Sequence, residues 1–354
     1  MNLNIKKILL AGTTMLLLGL IVIGANLRLQ NRKPAVSTNF IMDTVIEQKL
    51  YGKNREQAVA EINRRLQEYE KHCSMYVPES EISRLNANAG KTWTQLSPQT
   101  LNLVKRAKEF GERSQGLLDI TIAPLTKLWG ITEEHPKVPP KTEILAAKEL
   151  VDYRDILIDE DKVMLRREGQ SIDLGAAAKG AACDIVREVA QEYEITAGYV
   201  SIGGNLIVLG EEPGGAEWRF GVRDPAGDAS EYIGTLTLTG KTMATTGTYE
   251  RWFEEDGKRY HHVLDPRTGY PAESDLTSVS VISEDGLLAD CLSTAFFVAG
   301  REEALAHMNE TEYQLIIADI DGNVTYSPGL AENFQPNKEK TAVYHFEASK
   351  GEVG

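Results

Sequence analysis

Apolar residues recur along this chain with two different periods, and the switches between them outline its elements. Alternation over 40–50 predicts a strand that Gly52 closes, after a short linker at 34–38. Val59, Ile62, Leu66 and Tyr69 then fall three or four positions apart, which is one face of a helix expected over 54–72. Ser97-Pro98 supplies an N-cap followed by proline at the first helical position, so a second helix starts there and runs to about Gly116. A third is expected over 142–151. Short strands follow at 156–158, 163–166 and 171–174, then a helix over 181–193 and a strand over 199–207 that Gly203-Gly204 interrupts. The stretch 218–282 is strand-rich, with Asp256-Gly257 turning a hairpin. Leu287, Leu288, Cys291, Leu292, Ala295, Phe296 and Ala299 complete the apolar face of a helix over 286–299. A helix at 302–308, a strand at 313–318 and a turn at Asp321-Gly322 follow, and 336–354 reads as a loosely held tail. Helices clustered early and strands clustered late indicate an α+β domain over 39–335, with largely antiparallel sheets packed against helices.

Charge narrows the classes. The formal net charge of −14 over 354 residues argues against nucleic acid as a partner. It also disfavours a bare polyanion unless a divalent cation mediates. Lys6 and Lys7 precede an uncharged run from Ile8 to Leu27, closed by Arg28. At about 1.5 Å per residue such a run reaches roughly 30 Å, enough to span a bilayer, so 1–33 is read as a signal peptide or a retained membrane anchor. The domain that follows is then expected outside the cytoplasmic membrane. Cys73, Cys183 and Cys291 lie far apart and form neither a zinc pattern nor a disulfide framework, which leaves buried thiols.

Several segments carry residues that the core does not need. Asp290 and Thr294 stand four apart beside the complete apolar face described above, stacked one turn apart on a helix. Carboxylate and hydroxyl oxygens suit Mg²⁺ or Ca²⁺; on spacing alone, however, the favoured reading is a salt-bridging Asp and a back-bonding Thr. Asp173 to Gly180 (DLGAAAKG) joins strand to helix through small residues, with Lys179 adding a charge; it is a phosphate-approach loop or merely a tight connection. Gly203, Gly204 and Asn205 interrupt an apolar strand, which marks a bulge or the close approach of a ligand. His261 and His262 point to opposite faces of a strand, so one of them at most serves a site, as a base or as structure. Tyr76 sits in a loop suited to stacking on a planar ring or to rim packing. Asp119 and Thr121 lie in a segment that also reads as a buried, hydrogen-bonded turn. Neither a Walker loop nor a G-x-G-x-x-G fingerprint occurs.

Taken in order, these segments resemble the ApbE family of FAD:protein FMN transferases. The resemblance rests on MDT at Met42 to Thr44, the S-M-Y and S-E-I-S-R-L-N of 74–86, D-x-T-x-x-P-L and L-W-G within 119–130, and DLGAAAKG. It continues through GGN, TTGTYE at 245–250, H-V-L-D-P-R-T-G at 262–269 and A-D-C-L-S-T at 289–294. It implies a T-fold-like, ApbE-like domain that binds FAD with its pyrophosphate gripped through Mg²⁺. It further implies cleavage of that pyrophosphate, release of AMP, and attachment of FMN by a phosphoester to a Thr or Ser of a redox partner protein. Asp290 and Thr294 resemble the side-chain metal ligands, and the Ala176 carbonyl the third. His262, with Asp290, is implied as catalytic, and Tyr76 as the flavin-stacking aromatic. Met42, Asp119, Thr121, Lys179, Gly204, Asn205 and Thr246 fall in cofactor-binding segments. Two departures touch helix packing: Ala176-Ala177-Ala178, where a bulkier residue is usual, and Ala181, where tyrosine is usual. The alternatives are a metal-dependent FAD pyrophosphatase and a flavin carrier without chemistry.

Overall fold

The structure, a computed structural model, describes residues 33–350. The signal or anchor expected over 1–33 lies almost wholly outside them; among the described residues no helix is long and apolar enough to cross a membrane. The chain opens as a hairpin, β1 (Ala35–Ile41) and β2 (Thr44–Gly52), followed by α1 (Arg55–Cys73), α2 (Glu81–Ala87), β3 (Thr94–Gln95) and α3 (Pro98–Arg113). Next come α4 (Ala123–Trp129), α5 (Lys141–Lys148), β4 (Ile156–Asp159), β5 (Lys162–Leu165) and α6 (Gly175–Glu192). The strand-rich half holds β6 (Ile195–Ile202), β7 (Asn205–Leu209), β8 (Trp218–Arg223), β9 (Tyr232–Leu238), β10 (Thr242–Gly247), β11 (Trp252–Glu255), β12 (Lys258–His261) and β13 (Leu276–Ser283). It ends with α7 (Gly286–Ala299), α8 (Arg301–Ala306), β14 (Tyr313–Asp319), β15 (Asn323–Tyr326), β16 (Phe334–Pro336) and β17 (His345–Ala348).

Nine strands form the central sheet in the order β1-β2-β6-β7-β10-β13-β14-β15-β17. Every neighbouring pair is antiparallel except β15 and β17. One face is covered by α1, α3, α6 and α7, which share the main core with inward residues such as Ile46, Val200, Ile207, Val279 and Leu315. A three-stranded sheet, β16-β9-β8, covers the other face around Trp218, Leu236 and Phe334. The α+β class with mainly antiparallel sheets is therefore what the fold shows.

Five expectations need correction. The single strand over 40–50 is a hairpin, because Met42 and Asp43 both take left-handed backbone angles (φ 59° and 55°) and turn the chain in two residues. The supposed linker at 34–38 is thereby part of β1. Helix α6 starts six residues before 181, since the alanine run favours helix and Gly180 within it answers a packing need. Residues 171–174 contribute only an isolated bridge, Ser171 to Ile122. Of the tail expected over 336–354, the described part to residue 350 is not loose: β17 adds to the central sheet and Tyr344 is buried in the second core.

Candidate functional site

Register places the candidate residues together. Ile46 pairs with Ile202 and Met243 with Leu206, so the β1–β2 turn, the β6–β7 turn and the C-terminal end of β10 share one end of the sheet. Met42, Gly204, Asn205 and Thr246 are all at that end. The two turns touch: a Cβ on Gly203 (φ 51°) would lie 2.3 Å from the Thr44 hydroxyl, so only glycine fits there. Gly204 faces open space. Asn205 is completely buried, yet both atoms of its amide lack a partner within the protein. Leaving a primary amide so costs free energy unless a ligand or water completes it.

Above this end α6 and α7 cross at glycines. A Cβ on Gly180 would stand 2.3 Å from the Gly286 carbonyl and 2.6 Å from the Asp290 Cβ, so the two backbones meet directly. Asp184 of α6 accepts the Gly286 and Leu287 amides (2.8 and 3.1 Å), and the Asp285 cap accepts from Leu288 at 2.9 Å. These bonds satisfy the exposed amides of the α7 N-terminus and fix its rotation. Burial raises the Asp184 carboxyl to about 6 against the pull of those amides.

That rotation delivers the Asp290 carboxylate, which is almost wholly buried, to the Gly180 amide at 2.8 Å. In an α-helix this amide is the partner of the Ala176 carbonyl, so Asp290 and Ala176 present oxygens to one locus. One turn on, Thr294 meets Thr246 at 3.3 Å, and Thr246 meets Ser293 at 2.8 Å. The side-chain donors are one carboxylate and hydroxyls, all hard oxygens. Among the described residues no group of three or more His, Cys, Asp or Glu forms a metal cluster. A set with a single carboxylate fits Mg²⁺, which keeps waters and takes substrate phosphate oxygens instead of a full protein cage. The residues present fit the ion.

The two histidines divide as their alternation demands. His261 is buried edge-on to Phe297, with Nε2 3.1 Å from the Ala272 carbonyl. His262 follows directly on β12; its amide donates to the Arg251 carbonyl at 3.0 Å and its Nδ1 lies 3.3 Å from the same oxygen. Burial, and then the charge of Lys179, push the His262 imidazole down to about 4, so the ring is neutral at pH 7. Arg251 also lines an open cavity of about 520 Å³ with Phe40, Asp43, Ile131, Thr132, Glu133, Glu250 and Trp252. Its guanidinium grips Asp43 at 2.9 Å and ties the strained β1–β2 turn to that wall. Tyr76 is more than half exposed; its hydroxyl, raised by burial, is influenced by Asp173, Thr132, Glu133 and Arg251 around it.

Asp119 and Thr121 are placed differently. Asp119 accepts from the Thr121 amide, the Thr121 hydroxyl and the Tyr153 amide (2.8, 2.6 and 2.8 Å), and the Thr121 hydroxyl accepts from the Asp152 amide. Their side chains are committed to the fold, so contact with a cofactor there falls to the backbone. The turn supports Asp173, whose amide donates to the Ile120 carbonyl at 2.8 Å. Nothing in the sequence alone marks Arg251, Ser293 or Asp184, because their roles come from contacts between remote segments.

Residues 42–317 match the profile of the ApbE family. An FAD:protein FMN transferase of Klebsiella pneumoniae is 35% identical over 274 residues, covering 77% of this chain and 84% of that protein. Among solved structures, the ApbE protein of Thermotoga maritima superposes with a TM-score of 0.76 at 30% identity, covering 88% of this chain and all of that one. The flavin transferase ApbE of Vibrio cholerae superposes with a TM-score of 0.74 at 27% identity, covering 86% and 96%.

Proposed function

The chain belongs to the ApbE family and is a transferase, and from that premise we propose that it moves FMN from FAD to a Thr or Ser of an exported redox protein, with Mg²⁺ and release of AMP. The observation that carries this reading is the crossing of α6 and α7, which sets the Asp290 carboxylate on the Gly180 amide and Thr294 against Thr246, beside a histidine held neutral. Asp290, Thr294 and the Ala176 carbonyl would hold Mg²⁺. The ion supplies charge neutralisation on a pyrophosphate, which an acidic chain otherwise repels. His262 accepts the proton of the attacking hydroxyl, a role its depressed basicity allows at neutral pH. Lys179, close to His262, adds positive charge where negative charge gathers on phosphate oxygens. The unpartnered amide of buried Asn205 offers a donor and an acceptor to the imide edge of a flavin, and Tyr76 offers a ring face.

The full-length chain incubated with FAD, Mg²⁺ and candidate redox proteins tests this reading by mass spectrometry of the partner and by AMP release. A partner that gains FMN supports it. FMN and AMP appearing free, with every partner unmodified, would replace transfer with FAD hydrolysis. The exported location rests on Lys6, Lys7 and the uncharged run to Leu27, and we propose a retained anchor with the catalytic domain outside the membrane. Tethering would raise the effective concentration of membrane-bound partners. Intact mass of the chain from membrane fractions checks this, and a soluble chain beginning at Asn26 would refute anchoring alone.

A further inference from the structure

Among the described residues, strand β1 is a free edge of the central sheet, and nothing in it guards that edge. Its seven residues, AVSTNFI, contain no charge and no proline in a chain of net charge −14. Edge strands ordinarily carry lysine, proline or a bulge, because their unpaired backbone groups recruit other strands. At the opposite edge β17 is four residues long and carries His345 and Glu347.

The register says what β1 offers. Ile41 and Thr44 flank a two-residue turn and exchange hydrogen bonds across it. Alternation therefore turns the N–H and C=O of Val36, Thr38 and Phe40 outward, away from β2. The side chains of the same residues share one exposed face: Val36 and Phe40 are each 69% exposed, and Val45, paired with Phe40, is 49% exposed. At about 3.3 Å per residue the strand presents roughly 23 Å of apolar, hydrogen-bond-competent edge. It runs towards the site, since Phe40 and Asp43 line a cavity together with Arg251, whose backbone carbonyl meets His262.

Resting on the transferase reading, we propose that β1 is the docking edge for the acceptor protein, an extended uncharged segment of which adds as a further strand and leads its Thr or Ser to the cavity mouth. Two observations select this occupant. The edge is continuous with the cavity beside His262, and the hydroxyl to be modified belongs to a polypeptide, which supplies the complementary N–H and C=O groups. Main-chain pairing gives affinity in this mode, and Val36, Phe40 and Val45 give side-chain selectivity.

The test uses the full-length chain, FAD, Mg²⁺ and the partner that gains FMN in the assay above. Thr38→Pro removes one outward donor at an edge position where proline is tolerated, and Val36→Lys adds an edge charge without touching the backbone, in case the first variant folds poorly. Both should lower kcat/KM for the acceptor by about tenfold or more, mainly through KM, while Kd for FAD stays within about twofold. Wild-type transfer kinetics in folded Val36→Lys would overturn the docking edge and leave the transferase reading standing. The same holds if the variants only dissociate a dimer, since the occupant is then a second copy. Loss of FAD binding would make β1 part of the flavin site, also against the proposal. If the wild type modifies no partner at all, the transferase reading itself fails.

Discussion

Asp290 stands where a carboxylate is costly unless its charge is answered. The protein offers it one amide, from Gly180, which leaves capacity for a cation. Asp290→Asn should preserve the fold and remove most FAD turnover, because a magnesium site with one charged protein ligand weakens steeply when that charge goes. Turnover titrated against Mg²⁺ checks it, and an unchanged metal dependence would reduce Asp290 to an internal hydrogen-bond acceptor. His262 makes a second residue-scale prediction. Its imidazole titrates near 4, against an ordinary value of 6.5, so the acid limb of its contribution to kcat should fall near pH 4. The folded state binds fewer protons than the unfolded chain between those values, so His262 also withdraws stability as pH drops through that window. His262→Ala should bind FAD but transfer FMN roughly 10²- to 10⁴-fold more slowly. His261→Ala, by contrast, should keep its rate and lose some stability; the reverse pattern would exchange the two roles. Residue identities were the most legible part of this site, since spacing alone put Asp290 with Thr294 and separated the histidines. Asn205 was legible as a glycine-flanked position, but its unpartnered amide was not, because burial is a property of the surrounding sheet.

At the scale of elements the sequence was least legible where two backbones meet. Met42-Asp43 lacks the Asn-Gly or glycine signal of a tight hairpin, and a left-handed methionine costs about 1–2 kcal/mol, so a continuous strand was the natural expectation. The turn is held from outside, by Arg251 on Asp43 and by the contact of Thr44 with Gly203. DLGAAAKG reads as a loop for a similar reason: its Gly180 serves a helix crossing, and nothing local records the partner. Gly180→Ala tests that crossing. The new Cβ would meet the backbone of Gly286, so the helices must separate, at a cost of about 1–3 kcal/mol. The midpoint of chemical unfolding should fall, and the requirement for Mg²⁺ should rise in step, because the Asp290 carboxylate and the Ala176 carbonyl belong to the two helices being pushed apart. A drop in stability with unchanged metal dependence would show that the crossing supports the fold without setting the site.

For the molecule as a whole, the unexpected feature is how the chain's end ties its layers together. A stretch of charged and small residues gives no periodic signal, so 336–354 reads as loose, yet residues 336–348 cross from the outer sheet to the edge of the central one. Tyr344 donates to Asp224 at 2.6 Å, Lys340 pairs with Asp224 at 2.7 Å and also with Glu231, and β17 then joins β15. Asp224 is 2% exposed; burial pushes its carboxyl up, but the hydrogen bonds from Lys340 and Tyr344 outweigh that and hold it below the usual range. An acid depressed in this way contributes stability above its unfolded value and loses it as pH falls. Lys340→Ala leaves the Asp224 carboxylate without its cation and should lower stability. The loss should be greatest near neutral pH and shrink on acidification, as Asp224 in the variant takes up a proton and no longer needs a counter-charge. Melting temperatures of wild type and variant, measured from pH 7 down to pH 4, should therefore converge. A constant gap across that range would mean that the lysine acts through its packing, and that the strap is held by Tyr344 and the β17 ladder instead of by charge.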